Sequence, residues 1–176
     1  MTAIVWLLSV APLAASPDGV GPYLFGMTPE QVQAVEACTP YKPVRRTGGL
    51  ECANYSFEGT RMNISFFFDK RGLQTIQLWF YEGTDRNKAL RATEGVLEHV
   101  QRNFGAVVSR AVDDGQAVTA ESLVQATEAV LGREETGRIS LFPVQQPPGR
   151  WIYGRMGYIA TIKTYLVFLF YSLPPQ

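Results

Sequence analysis

Two cysteines are the residues whose type and spacing most directly indicate chemistry. Cys38 and Cys52 are the only cysteines, and they lie 14 positions apart. In an oxidising compartment such a pair forms one disulfide, whereas in a reducing compartment it stays as two buried thiols. We predict the disulfide, which closes a loop of about 15 residues and contributes roughly 3 kcal/mol. Two cysteines and one distant histidine are too few ligands for a closed zinc site, so the sequence predicts neither a metal site nor a cofactor.

Candidate catalytic side chains are few. His99 is the only histidine. It lies off the apolar stripe of its predicted helix, which indicates a solvated side chain and not a general base. Asp113-Asp114 and Glu134-Glu135 each pair two carboxylates, but adjacent acids in turns are usually solvated. The sequence contains no nucleophile elbow, zinc-protease motif, phosphate-binding glycine loop or dinucleotide fingerprint. It therefore predicts no catalytic residue.

Aromatic side chains offer recognition chemistry, and they make up 12% of the chain. Trp79, Tyr81 and Tyr153 belong to strand-like segments and are predicted on the polar-aromatic face of a sheet. Tryptophan and tyrosine dominate binding hot spots, so these three are the predicted partner-binding residues. The alternative is that they pack under helices or loops. The charge is balanced, with 16 basic and 16 acidic residues, which argues against a nucleic-acid surface.

The N-terminus resembles a secretory signal peptide. An apolar segment from Ile4 to Leu13 precedes the small residues Ala14-Ala15, and cleavage is predicted after Ala15. The first residues lack Lys and Arg, so a buried or interfacial N-terminal segment is the alternative. The apolar run is well short of the roughly 20 residues of a transmembrane helix, which predicts no stable membrane span. The predicted organisation is a signal peptide at 1–15 and a single domain at 16–176, periplasmic or secreted.

A capping box predicts the first helix of the domain. Thr28 can accept a hydrogen bond from the Gln31 backbone, and Gln31 can return one to Thr28. Pro29 suits the first helical position, where its missing N–H has no cost.

Three strand-like segments then follow, from Glu51 to Phe57, Arg61 to Phe68 and Leu73 to Tyr81. Short turns between them predict a three-stranded antiparallel meander. Strict alternation along the third segment places Trp79 and Tyr81 together on its more polar face.

The remaining segments predict helices over the sheet and further strands. A helix is predicted over Asp85 to Phe104, capped by Thr84 and stopped by Gly105, and another over Thr119 to Leu131. The apolar segment Thr164 to Ser172 suits a strand buried on both faces. Together these elements predict an α+β fold, a two-layer sandwich of antiparallel sheet covered by helices.

The segment from Gly26-Met27-Thr28 to Val32, followed by a meander and a helix, resembles a bacterial envelope family. This is the superfold of small outer-membrane lipoproteins and β-lactamase-inhibitor-like proteins. The resemblance covers residues 21 to about 81 and, more loosely, the helix to 105. The chain departs from the family in having no lipobox cysteine. The resemblance implies a binding module, and no catalytic residue carries over from it.

Three classes of function follow from these observations. The first is a non-enzymatic periplasmic or secreted binding protein of the envelope accessory type, with a protein partner in the cell envelope. The second is an inhibitor or immunity protein against a secreted enzyme or toxin. The third is a hydrolase without a recognisable motif.

Overall fold

A computed structural model describes residues 18–45, 47–110, 119–131 and 137–174. Within the helix at 119–131, the side chains at 120 and 127–131 fall outside the description. The predicted signal peptide and its cleavage point after Ala15 also lie outside the described residues, as do Asp113-Asp114 and Glu134-Glu135.

An antiparallel sheet of eight strands dominates the described part of the chain. A small hairpin of β1 (Gly19–Val20) and β2 (Tyr23–Leu24) precedes it. The sheet strands are β3 (Tyr41–Val44), β4 (Gly49–Phe57), β5 (Thr60–Asp69), β6 (Gly72–Gly83), β7 (Val107–Ser109), β8 (Gly137–Pro143), β9 (Trp151–Ile159) and β10 (Thr164–Ser172). Their spatial order is β3-β4-β5-β6-β10-β9-β8-β7. Two four-stranded meanders therefore run from the two edges and meet at β6 and β10.

Three α-helices occur among the described residues, α1 (Pro29–Gln33), α2 (Arg86–Phe104) and α3 (Ala120–Leu131), with a 3-10 helix at Ala160–Ile162. The predicted capping box is confirmed at α1. The Gln31 N–H donates to Thr28 Oγ1 at 3.3 Å, and the Thr28 N–H donates to Gln31 Oε1 at 2.8 Å.

The long helix α2 begins one residue later than predicted. Its N-cap is Asp85, whose carboxylate accepts from the Lys88 N–H at 3.1 Å, and not Thr84. It ends at Gly105, as predicted, where a φ of 81° favours glycine. The sequence therefore locates both ends of α2 to within one residue.

The predicted two-layer α+β sandwich is wrong. Among the described residues, 49% lie in strands and 24% in helices, and only three α-helices accompany the eight-stranded sheet. The cause is the width of the sheet. Eight strands about 4.8 Å apart span roughly 34 Å, whereas a helix is about 10 Å across. The prediction assumed a narrower sheet that its helices could cover, and this sheet is too wide for the three described helices to form a complete second layer.

One face of the sheet, the inner face, carries the core. The buried residues of all three helices, including Val32, Val96 and Leu123, pack into the cluster that this face forms. The inner face itself contributes buried side chains from the central strands, among them Ile64, Phe66, Ile76, Leu78, Leu141, Met156, Val167, Leu169 and Tyr171. No described helix packs on the opposite, outer face.

The predicted disulfide is present. Cys38 and Cys52 are bonded at an S–S distance of 2.00 Å, and both are buried. The bond ties the segment after α1 to β4, beside the β3–β4 pairing of Tyr41 with Cys52. It is compatible with an oxidising, extracytoplasmic compartment. Among the described helices, none is both long and apolar enough to cross a bilayer.

Candidate binding surface

A continuous row of aromatic rings crosses the outer face from β6 to β8. Neighbouring ring centroids lie 4.8, 5.8, 4.5, 5.9 and 5.9 Å apart along the row. In spatial order its members are Trp79, Phe168, Phe170, Tyr153, Phe142 and Trp151. We call these six residues the aromatic row.

The strand periodicity of two explains why these rings share a face. Along β10, Leu169 and Tyr171 point to the core, so Phe168 and Phe170 project from the other side. Phe170 is directly opposite Tyr153 in β9. Their rings stack at 4.5 Å with only 10° between their planes. Such cross-strand aromatic pairs each stabilise a sheet by about 0.2–1 kcal/mol.

The structure brings together two of the three predicted binding residues and separates the third. Trp79 and Tyr153 both belong to the aromatic row, whereas Tyr81 packs against the core of the inner face. A register shift is the cause, because Val167 pairs with Tyr81 but the next residue, Phe168, pairs with Trp79. The bulge at Phe80 thus breaks the predicted alternation and turns Tyr81 to the face of buried Val167.

Tyr81 has a local structural role at its new position. Its hydroxyl accepts a hydrogen bond from the Asp85 N–H at 3.0 Å, at the start of α2. This contact helps to fix the N-terminus of the helix against β6. Trp79, in contrast, donates from Nε1 to Ser65 Oγ at 2.9 Å on the outer face.

Two arginines flank the row. The Arg155 guanidinium carbon lies 5.3 Å from the Tyr153 ring centroid and 5.4 Å from that of Phe170. Arg110 lies over Phe142 at 5.0 Å. These distances allow cation–π attraction. Burial raises the pKa of Tyr153 above its usual value, although Arg155 opposes the shift, so the phenol is neutral at pH 7.

A shallow cavity of about 680 Å³ opens beside the row. Phe142, Trp151, Tyr153, Arg110 and Arg155 form one part of its lining. Another part contains Asp69 and Arg71.

Asp69 is the single carboxylate among the described residues that line this cavity. Its two oxygens accept from the Arg71 N–H at 2.7 Å and from the Arg71 guanidinium at 3.1 Å. The Arg71 backbone N–H and guanidinium hold the pKa of this carboxyl below its usual value. The remaining described lining is aromatic, aliphatic, polar or cationic, which suits an apolar ligand that carries negative charge.

His99 is buried, so the prediction of a solvated side chain is wrong. Only 3% of the residue is exposed. The β4–β5 turn, which carries Glu58, covers the side of α2 that lies outside its apolar stripe. Its Nε2 lies 2.6 Å from the Tyr171 hydroxyl and its Nδ1 lies 3.2 Å from Glu58 Oε1. Arg102 completes the network by donating to Glu58 Oε2 at 2.6 Å.

A carboxylate, an imidazole and a hydroxyl follow one another here as they do in a catalytic triad. In a catalytic triad the hydroxyl is accessible to the substrate, whereas here it is buried. Tyr171 is 2% exposed and lies in the core, so a substrate atom cannot approach its oxygen. The network instead links the β4–β5 turn, α2 and β10. Burial lowers the pKa of His99, Glu58 opposes that shift, and Arg102 adds to it.

Metal ligands do not cluster in the part of the chain that the structure describes, where no three His, Cys, Asp or Glu side chains come together.

The sequence does carry a signal for the cationic character of this surface. Beyond Glu135 it contains no Asp or Glu, whereas Arg138, Arg150, Arg155 and Lys163 all follow. The total charge of the chain conceals this segregation. A count of acidic and basic residues by segment, together with the phenylalanines at alternate positions of β10, would have identified β8–β10 as a candidate cationic and aromatic surface.

Comparison with protein-family models, curated proteins and solved structures finds no match for the chain.

Proposed function

We propose that the chain is a non-enzymatic binding protein of the periplasm or the secreted fraction. In this proposal it binds a protein partner through the aromatic row on the outer face. The observation that carries the proposal is that six contiguous rings lie on the face on which no described helix packs. Contiguous apolar surface that is accessible to solvent marks interaction sites, and four of the six rings are partly accessible.

The burial pattern along the row supports an interface anchor. Phe168 and Phe170 are 9% and 8% exposed, whereas Trp79, Tyr153 and Trp151 are only partly buried. The central rings are thus held by their neighbours, and the outer rings present surface to a partner. Binding hot spots have this character, with aromatic and arginine side chains fixed in place before the partner arrives.

The disulfide supports the proposed location. A bonded Cys38–Cys52 pair is stable where the environment is oxidising. The aromatic surface suits an envelope accessory and equally an inhibitor or immunity protein, since both bind through such a face. Only the identity of the partner separates these two functions.

Substitution within the aromatic row tests the proposal. We expect Trp79→Ala and Tyr153→Ala each to weaken partner binding by about 10-fold or more, as is usual for hot-spot truncations. Tyr81→Phe is the matched control, because Tyr81 lies on the inner face and its substitution should leave affinity unchanged. Affinity is measured with the captured partner, and thermal melting of each variant is recorded in parallel. Loss of cooperative melting in Trp79→Ala would instead assign this residue to the core of the fold.

Capture of the partner separates the two functions. Residues 16–176 are immobilised under non-reducing conditions, exposed to an envelope extract, crosslinked and analysed by mass spectrometry. A single enzyme or toxin in near-equal amount indicates an inhibitor or immunity protein. Several assembly or cell-wall components indicate an envelope accessory. Capture that is equal for wild type and Trp79→Ala would contradict the proposed surface.

A further inference from the structure

Basic side chains that form no ion pair with any described residue surround the β8–β9 end of the aromatic row. Arg138 and Arg155 project from the outer face of β8 and β9, and Arg110 follows β7 directly. Arg138 is exposed and neighbours buried Ile139, which points the other way. The four strands β7 to β10 contain no acidic residue at all.

Arg110 and Arg155 differ from other arginines of the fold. Arg71, Arg102 and Arg150 each form an ion pair, with Asp69, Glu58 and Asp18 respectively. No carboxylate of the described residues lies within 4.0 Å of Arg110 or Arg155. Arg155 Nε is in addition buried without a hydrogen-bond acceptor in the same part of the chain.

We propose that the occupant of the outer face is an acidic segment of a protein, whose Asp or Glu carboxylate binds Arg155 and Arg110. This inference rests on the proposed function and adds the chemistry of the partner. A guanidinium that lies over an aromatic ring can present its planar fork of donors to a carboxylate. The rings supply apolar contact on either side, so the partner segment combines acidic with apolar side chains.

Single-stranded nucleic acid is the other polyanion that binds to aromatic sheet faces, and two observations disfavour it. Base recognition needs ring faces that are free for stacking. Here Tyr153 and Phe170 stack on each other, and Arg155 lies over both rings. Glu51 and Glu82 also project from the outer face, in register with Ser65 and Leu166, and would repel a phosphate backbone.

A peptide selection on the intact protein tests this assignment. A displayed library of random 12-residue peptides is selected on wild type, on Arg110→Gln/Arg155→Gln, and on Lys88→Gln/Arg91→Gln. The last variant is the control, since it removes two positive charges from exposed positions of α2 and leaves the outer face unaltered. We expect wild type and the control to recover peptides enriched in Asp and Glu. We expect the arginine variant to lose that enrichment.

Synthetic peptides then measure how much affinity the two arginines contribute. The affinity of a selected peptide should fall about 10-fold or more on Arg110→Gln/Arg155→Gln, and similarly when its own acids become amides. It should change by less than about twofold on the control, and it should weaken as salt is raised.

The outcomes separate the two proposals. Binding of the selected peptides is also measured on Trp151→Ala. Peptides that lose affinity for this variant but show no enrichment in Asp and Glu would support the outer face as the binding surface and overturn the proposal of an acidic partner segment. Peptides indifferent to both Trp151→Ala and the arginine variant would overturn the two proposals together. Recovery of no peptide above background would overturn the proposal that the partner presents an acidic segment. Fluorescent oligothymidylate that binds more tightly than the acidic peptide, and displaces it, would assign the face to nucleic acid.

Discussion

The imidazole of His99 is held between the Tyr171 phenol and the Glu58 carboxylate, which itself binds Arg102. Each partner comes from a different element, so the network joins parts of the chain that are far apart in sequence. Buried polar groups are costly unless they are hydrogen-bonded, and this one is satisfied at both ring nitrogens. The network therefore stabilises one arrangement of α2 on the sheet.

This network predicts a loss of stability at mildly acidic pH. Burial lowers the pKa of His99 below its ordinary value of 6.5, so the unfolded chain binds the proton more readily. The free energy of unfolding should be highest above pH 6.5 and decline as the pH falls towards the folded-state pKa. The decline is at most about 1.4 kcal/mol per pH unit for one proton. Urea denaturation at pH 7.5, 6.5 and 5.5 measures it.

His99→Gln is the control for this pH dependence. His99 is the only histidine, so the variant should show little slope between pH 7.5 and 5.5. Glu58→Gln removes the charge that opposes the shift and should extend the decline to lower pH. Parallel slopes in wild type and His99→Gln would show that another group is responsible.

At the scale of elements, helix α2 lies close against the sheet at Gly154 in β9. A Cβ at this position would lie 2.5 Å from Val96 Cγ1 in α2. Val96 is β-branched, and its side chain has one preferred rotamer in a helix. The approach of α2 to the middle of the sheet therefore depends on a glycine at residue 154.

We expect Gly154→Ala to destabilise the fold by about 1–3 kcal/mol, the usual cost of overpacking a core. Gly157→Ala in the same strand is the matched control, because its Cβ would meet nothing nearer than the Gly137 carbonyl oxygen at 3.8 Å. That substitution should change stability by less than about 0.5 kcal/mol. Chemical denaturation of both variants measures the difference. Equal stabilities would mean that α2 can shift away from β9 without cost.

Sequence reasoning succeeded for elements whose ends have local chemical signals. The capping box at Thr28 and the stop at Gly105 are examples, since each depends on residues within one turn of helix. The bulge at Phe80 has no such signal, because it arises from pairing with β10, about 90 residues later in the chain. For that reason the sequence of β6 alone could not predict the face on which Tyr81 lies.

At the scale of the molecule, the two faces of the sheet have different partners. The helices and the β1–β2 hairpin pack on the inner face, where the ring centroids of Tyr23 and Phe66 lie 4.5 Å apart. The outer face carries the aromatic row, with Arg110 and Arg155 beside it. The sheet is thus stabilised from its inner side, and in the proposed function its outer side binds the partner.

Residue type and strand periodicity predict some members of the aromatic row, and the pairing of distant strands determines the others. Trp79 and Tyr153 could be selected from residue type and strand periodicity alone. Phe142 and Trp151 join them only because β8 and β9 pair next to β10, and sequence order does not reveal that pairing. The burial of His99 likewise required the β4–β5 turn to reach α2.

Site-specific photocrosslinking tests the central claim most directly. A photoreactive phenylalanine analogue is placed at Trp151, at one end of the aromatic row, or at Ile162, which is 62% exposed on the 3-10 helix. Each protein is irradiated in an envelope extract under non-reducing conditions, and adducts are identified by mass spectrometry. The proposed surface predicts a specific protein adduct at residue 151 and none at residue 162. The same adduct at 162, with none at 151, would contradict it.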